Sequence, residues 1–297
     1  MKVLVTGATG FIGQNLVKVL LAHGFEVHVI IRESSNRNNI DSGVTFFEYS
    51  GVIEDLIAYT QKESFNGIIH LASLFLVTHT PKDISTLINS NVTFGTELLE
   101  AAKHSNIKWF INTGTFWQHF EGDAYNPVNL YAATKEAFES VAKYYVETSE
   151  LIFTTIKLND TFGPNDTRNK VFNLWNKIAK SKETLEMSAG EQLIDISYID
   201  DVVNAYLILA KHLNSKSAMT FQNRTFVVTQ EQKLSLKELA TLFEEATNST
   251  LNITWGAREY REREVMNPWS NGEKVPGWKQ QFSLEKAIQQ TVGKNND

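Results

Sequence analysis

The segment that most constrains this chain is Thr6-Gly7-Ala8-Thr9-Gly10-Phe11-Ile12-Gly13. Before it runs Lys2–Val5, an apolar stretch that reads as a strand. After it, Phe11, Ile12, Leu16, Val19 and Leu20 recur at helical spacing over Gly10–His23, and Gly24 falls where a helix-ending glycine belongs. Gly7 permits a tight turn. Gly10 lets the backbone approach a pyrophosphate, which rests on the positive end of the helix, and Gly13 allows close helix–strand packing. A glycine triplet alone is weak, but a strand before it and a helix after it are the context a dinucleotide site requires. Gly7, Thr9, Gly10, Phe11, Ile12 and Gly13 are therefore the candidate cofactor contacts.

The same alternation continues. Glu26–Ile31, Thr45–Tyr49, Gly67–Leu71, Trp109–Asn112 and Phe153–Leu158 read as strands, with helical patterns near 53–62, 84–104 and 131–148. Strands separated by helices predict an α/β fold: a Rossmann-type, doubly wound parallel sheet with both faces covered. The turn cluster Phe162-Gly163-Pro164-Asn165-Asp166 marks a change of character. Helices follow near 168–181, 199–212 and 235–247, with a short strand near 224–228. This predicts a dinucleotide-binding domain over 1–160, with sheet contributions from about 190–230. Residues 161–297 form a smaller, mainly substrate-binding C-terminal region that closes a site at the end of the sheet.

The dinucleotide is read from the end of the second strand, where an acid normally bonds the ribose 2′-hydroxyl. Ile31 holds that place and Arg32 follows it. An apolar side chain accepts no hydroxyl bond, whereas a guanidinium clasps a phosphate. NADP(H) is favoured over NAD(H), although Glu33 is one residue further on. Tyr131 and Lys135 lie one helical turn apart and face the same way, so the ammonium favours the phenolate and draws its pKa toward the working range.

Net charge is −6, and with no basic stripe nucleic acid is not the expected partner. The chain has no cysteine, and its seven histidines show no zinc-binding spacing, so no metal is expected. No signal peptide or bilayer-length apolar run is visible; a cytoplasmic protein without membrane attachment is expected.

The turn Thr6-Gly7-x-x-Gly10-x-x-Gly13 together with Tyr131-Ala-Ala-Thr-Lys135 resembles the extended short-chain dehydrogenase/reductases, the nucleotide-sugar epimerase and dehydratase group. Ile69-His70-Leu71-Ala72, Asn91–Thr96, Phe162-Gly163-Pro164, Tyr198-Ile-Asp200-Asp201 and Arg261-Glu-Arg-Glu264 extend the likeness over nearly the whole chain. It implies a catalytic set of Thr115, Tyr131 and Lys135, with Thr113 a rival for the hydroxyl. Lys135 also holds the nicotinamide ribose, Leu71 and Ala72 join the cofactor contacts, and Phe116, Trp117, Asp160 and Arg261 contact substrate. His70 is expected to be a packed residue near the cofactor. In this family the helices near 84–104 and 131–148 pair across a two-fold axis. Phe94, Phe138, Tyr144 and Tyr145 exceed what one sheet face should bury, so a homodimer is expected.

The stretches Asn112–Gln118, Asn129-Leu-Tyr131 and Gly277-Trp278…Phe282-Ser-Leu284 are closer still to the CDP-paratose and CDP-abequose synthases. That likeness implies reduction of the 4-keto group of a CDP-linked 3,6-dideoxyhexose by NADPH. Phe116 and Trp117 follow Thr115 where a 4,6-dehydratase carries an Asp-Glu pair, so dehydration is not expected. Departures from the family pattern are Ile194 in place of an arginine, with Asp195 kept, Ser50 where a Gly-Asp usually ends the third strand, and Lys157 in place of an arginine. The alternatives are an epimerase, a dihydroflavonol-type ketone reductase and, in another class, a dinucleotide-sensing regulator.

Overall fold

The computed structural model describes residues 1–293; positions 294–297 of the expected C-terminal region lie outside the described residues. The chain opens with β1 (Lys2–Thr6), α1 (Phe11–Ala22), β2 (Glu26–Ile31), β3 (Thr45–Glu48), α2 (Ile53–Glu63) and β4 (Gly67–His70). Next come α3 (Ile84–Ile88) and α4 (Phe94–His104), joined through a π-helical turn, then β5 (Trp109–Thr115), α5 (Leu130–Glu147) and β6 (Ile152–Leu158). The remainder comprises β7 (Asp160–Phe162), α6 (Val171–Ser181), β8 (Leu185–Met187), β9 (Leu193–Ile194), β10 (Ile196–Tyr198), α7 (Ile199–Leu213), β11 (Thr225–Val228), β12 (Leu234–Ser235), α8 (Leu236–Thr247), β13 (Ile253–Trp255), β14 (Glu273–Lys274) and α9 (Leu284–Gly293).

Eight strands form one sheet in the order β14-β11-β6-β5-β4-β1-β2-β3, and every pairing is parallel. Alternation along each strand sends side chains to two cores. Val3 and Val5 of β1 pack with Leu16 and Leu20 of α1 and with α7 on one face. Leu4, Ile68, Phe110 and Phe153 pack with Leu98 of α4 and Phe138 of α5 on the other. Chain order reverses at β1, between β4 and β2, which opens a crevice at the carboxyl ends of β1 and β4. Thr6 and His70 stitch that point: Thr6 Oγ1 lies 2.8 Å from His70 Nδ1 and accepts the Ala72 N–H at 3.2 Å.

Three expectations are corrected. First, β5 runs on to Thr115, because β6 pairs with it through Thr115↔Leu158. Second, α6 begins at Val171 rather than 168, because Asp166 and Arg168 bond each other in a turn. Third, α4 and α5 carry no surplus of exposed rings. Phe138 and Tyr145 are buried in this chain's own core and Phe94 packs against it, which leaves Tyr144 at 60% exposure as the one protruding ring of the four. The sheet also takes a strand from beyond residue 230, since β14 pairs with β11.

Candidate active site

The glycine turn has the geometry its sequence implies. Gly7 adopts φ +71°, and a Cβ there would lie 2.6 Å from the Ala72 backbone nitrogen. A Cβ on Gly13 would lie 2.2 Å from the Gly7 carbonyl oxygen, so α1 is seated directly on the turn. Among the described residues no side chain caps α1, whose first N–H groups are open to an anion. Thr9, Phe11 and Ile12 surround that helix end, and Leu71 and Ala72 face it from the end of β4. These residues fit a dinucleotide pyrophosphate. Arg32 is exposed just past β2, with its backbone N–H donated to Ser35 Oγ at 2.9 Å; no carboxylate pairs with its guanidinium among the described residues.

His70 is buried, as its sequence context suggests, and burial holds its pKa at about 3, so the ring is neutral. Asn91, also buried, bonds both backbone groups of Leu74 and the Thr134 hydroxyl. It thereby fixes the loop after β4 against α5.

That loop brings a hydroxyl that spacing did not reveal. The Ser73 and Thr115 hydroxyls lie near the Tyr131 phenol and pull its pKa down. The rival, Thr113, is spent elsewhere, its hydroxyl 2.7 Å from that of Tyr206. Tyr131 opens α5, where the Asn129 side chain accepts the Ala132 N–H at 3.0 Å and caps the helix. Lys135 is buried one turn on, its Nζ 5.9 Å from the Tyr131 ring centre. Burial lowers its pKa to about 8, which leaves it charged at neutral pH. Tyr131 differs from expectation. Burial raises the phenol to about 12 and outweighs the pull of the Ser73 and Thr115 hydroxyls, so the group is a protonated phenol across the neutral range.

Beside these groups lies a cavity of about 310 Å³, within the size range of small-molecule sites. Phe116, Trp117, Asp160 and Arg261 all line it, together with Ile194, Asp195 and Val265. Asp160 is ion-paired with Lys170 at 2.6 Å, and Arg261 with Glu264 at 2.9 Å. Phe75, which the sequence did not single out, stands edge-on to Tyr131 at 5.0 Å and beside Trp117 at 5.4 Å. Asp195 does not point freely into the cavity, because it accepts bonds from Thr229 and from the Gln230 N–H. Lys157 is buried at 2.8 Å from His119 Nε2. Glu26, His28 and Glu63 converge elsewhere, at the start of the sheet. There the Lys2 ammonium lies 2.9 and 3.0 Å from the two glutamates and already supplies their countercharge.

Comparison with known proteins agrees with this arrangement. Residues 3–227 match the NAD dependent epimerase/dehydratase family. The chain is 28% identical to a CDP-abequose synthase of Salmonella muenchen over 98% of this chain and 97% of that protein. It is 28% identical to one of Yersinia pseudotuberculosis over 90% and 92%. A solved UDP-glucose 4-epimerase from Thermotoga maritima superposes with a TM-score of 0.86 at 21% identity, covering 100% of this chain and 99% of that one. With the glycine turn, the reversal point of the sheet and the family match in agreement, the chain belongs to the NAD dependent epimerase/dehydratase family, as an NAD(P)-dependent enzyme of the extended short-chain dehydrogenase/reductase type.

Proposed function

We propose that the protein is an NADPH-dependent reductase of the 4-keto group of a nucleotide-linked deoxysugar, of the CDP-3,6-dideoxyhexose type. One observation carries the reading: the cavity beside Tyr131 is walled by Phe116 and Trp117, which directly follow Thr115. Ketone reduction needs a proton donor at the carbonyl oxygen, and the Tyr131 phenol fills that role. The apolar wall suits a sugar ring that has lost hydroxyls. The neighbouring Phe116 and Trp117 transfer no protons, which leaves dehydration without its acid and base. The likeness to CDP-abequose synthases supports the same substrate class.

Bound NADPH supplies the hydride. Gly7, Thr9, Gly10, Phe11, Ile12 and Gly13 hold the pyrophosphate on the end of α1, with Leu71 and Ala72 closing the crevice. Arg32 takes the 2′-phosphate. Tyr131 gives its proton to the carbonyl oxygen as C4 is reduced, and Thr115 donates a hydrogen bond to the same oxygen. Lys135 remains positive, holds the nicotinamide ribose and stabilises the phenolate that forms. Asp160 and Arg261 orient the sugar nucleotide. Residues 1–160 with β11 serve the dinucleotide, and the region from 161 onward mainly serves the substrate. The working unit is a homodimer.

The test is a thermal-shift panel of CDP-, dTDP-, GDP- and UDP-sugars with NADP present, since a ligand that binds only the folded chain raises its melting point. CDP-sugars are expected to give the largest shift. NADP is expected to stabilise more than NAD, and R32D to reverse that order. A panel in which no sugar nucleotide shifts the melting point speaks against the substrate class.

A further inference from the structure

The proposed chemistry uses the Thr115 hydroxyl and leaves unexplained the fully buried amide beneath it. Gln118 ends the single 3-10 turn Phe116–Gln118 that follows β5. Its Oε1 accepts the Thr115 backbone N–H at 2.9 Å. Its Nε2 donates to Glu136 at 2.6 Å and to Glu139 at 3.1 Å, both on α5. Two carboxylates on one side admit a single orientation of the amide: nitrogen toward α5, oxygen toward Thr115. Burial and the neighbouring Glu136 raise the Glu139 pKa, while Lys157, the Gln118 amide and Lys135 pull it down. Thr115 completes the exchange, its Oγ1 accepting the N–H groups of Trp117, at 3.3 Å, and of Gln118. The pair forms a reciprocal capping box on a turn only three residues long.

A threonine hydroxyl has one proton and two lone pairs. Here the lone pairs face N–H groups of the turn, so the proton is left for a partner outside the turn. We propose that Gln118 is a positioning residue for the reduction: it locks the turn that makes Thr115 a one-way hydrogen-bond donor to the substrate carbonyl. Through Glu136 and Glu139 it also ties that donor to α5, the helix that carries Tyr131 and Lys135. The three reacting groups thereby share one frame. This role rests on the reductase reading above.

The test compares wild type with Q118M, which keeps the length of the side chain and loses both bonds, using the full chain, NADPH and a CDP-linked 4-keto-3,6-dideoxyhexose. Near-UV circular dichroism and the NADPH Kd check the fold. The expected result is a kcat about 10–100-fold lower, because small misplacements of a catalytic group cost rates of that order, with KM changed by less than about threefold. A box that serves stability alone lowers Tm and leaves kcat within about twofold, and that result overturns the proposal. Should Q118M not fold, Q118N keeps an amide one methylene too short to complete the box and is expected to show the same kcat loss; unaltered kcat there overturns the proposal equally. If wild type does not reduce the sugar, the reductase reading fails by itself. Amide exchange in the ligand-free chain then decides the positioning claim: faster exchange at Thr115 and Trp117 in the variant supports it, and unchanged exchange contradicts it.

Discussion

Thr113 and Thr115 lie two residues apart on one strand, yet the structure separates their work. Thr113 is held by Tyr206, while Thr115 reaches Tyr131. T115V is therefore expected to lower kcat by about 10²-fold, the usual cost of a lost oxyanion donor. T113V is expected to keep turnover within about threefold while losing about 1–3 kcal/mol of stability, because the buried Tyr206 hydroxyl loses its partner. Steady-state kinetics and melting curves on the two variants check this; equal loss of kcat in both contradicts it. The same residues set a pH dependence. Burial brings Lys135 to about 8 and Tyr131 to about 12. As pH rises through about 8 the ammonium is lost while the phenol keeps its proton. The kcat profile is expected to fall through that range, with the limb belonging to Lys135. A profile flat to pH 10, two units above that pKa, would rule this assignment out.

At the scale of elements, the link between β1 and α1 decides whether the cofactor crevice forms. A methyl on Gly13 meets the Gly7 carbonyl at 2.2 Å, a contact only backbone movement relieves. G13A is expected to cost about 1–3 kcal/mol, as overpacking does, and to abolish dinucleotide binding. Denaturant titration and NADPH fluorescence check both, and a variant that binds NADPH normally contradicts the assigned role. This link was legible in the sequence because it is local: turn, helix spacing and Gly24 all lie within about twenty positions, the scale on which periodicity speaks. The parallel sheet was legible for a similar reason, since β-branched runs alternate with helices. What stayed hidden depends on pairs of elements. Ser73 reaches Tyr131 only because Asn91 pins the loop after β4 to α5. Gln118 meets Glu136 and Glu139 only when β5 and α5 are neighbours, and Lys157 meets His119 across 38 positions of chain. Helical spacing marks Phe138 and Tyr145 as one apolar face without saying whether a sheet or a second chain covers it; here the sheet does. The short pairings of β8 with β13 and of β9 with β12 span only two or three residues, too few to show alternation.

On the scale of the whole molecule, the glycine turn sits where the strand order reverses, and the cavity walled by Phe116 and Trp117 lies on the substrate side. Ile84 and Ile88, a turn apart on α3 and 44% and 39% exposed, join Tyr144 as apolar groups outside the core. They are the surface expected to meet a second copy, so light scattering at micromolar concentration should return twice the 33.6 kDa chain mass. A monomer mass rules this out, and I84K/I88K is expected to produce one. The central claim, net reduction, is tested most directly by following NADPH while the purified protein acts on a CDP-linked 4-keto-3,6-dideoxyhexose. One NADPH consumed for each sugar converted is expected, with Y131F losing about 10²–10⁴-fold of the rate, the range for removal of a general acid. Interconversion of sugar epimers with no net loss of NADPH contradicts the account and identifies the enzyme as an epimerase instead.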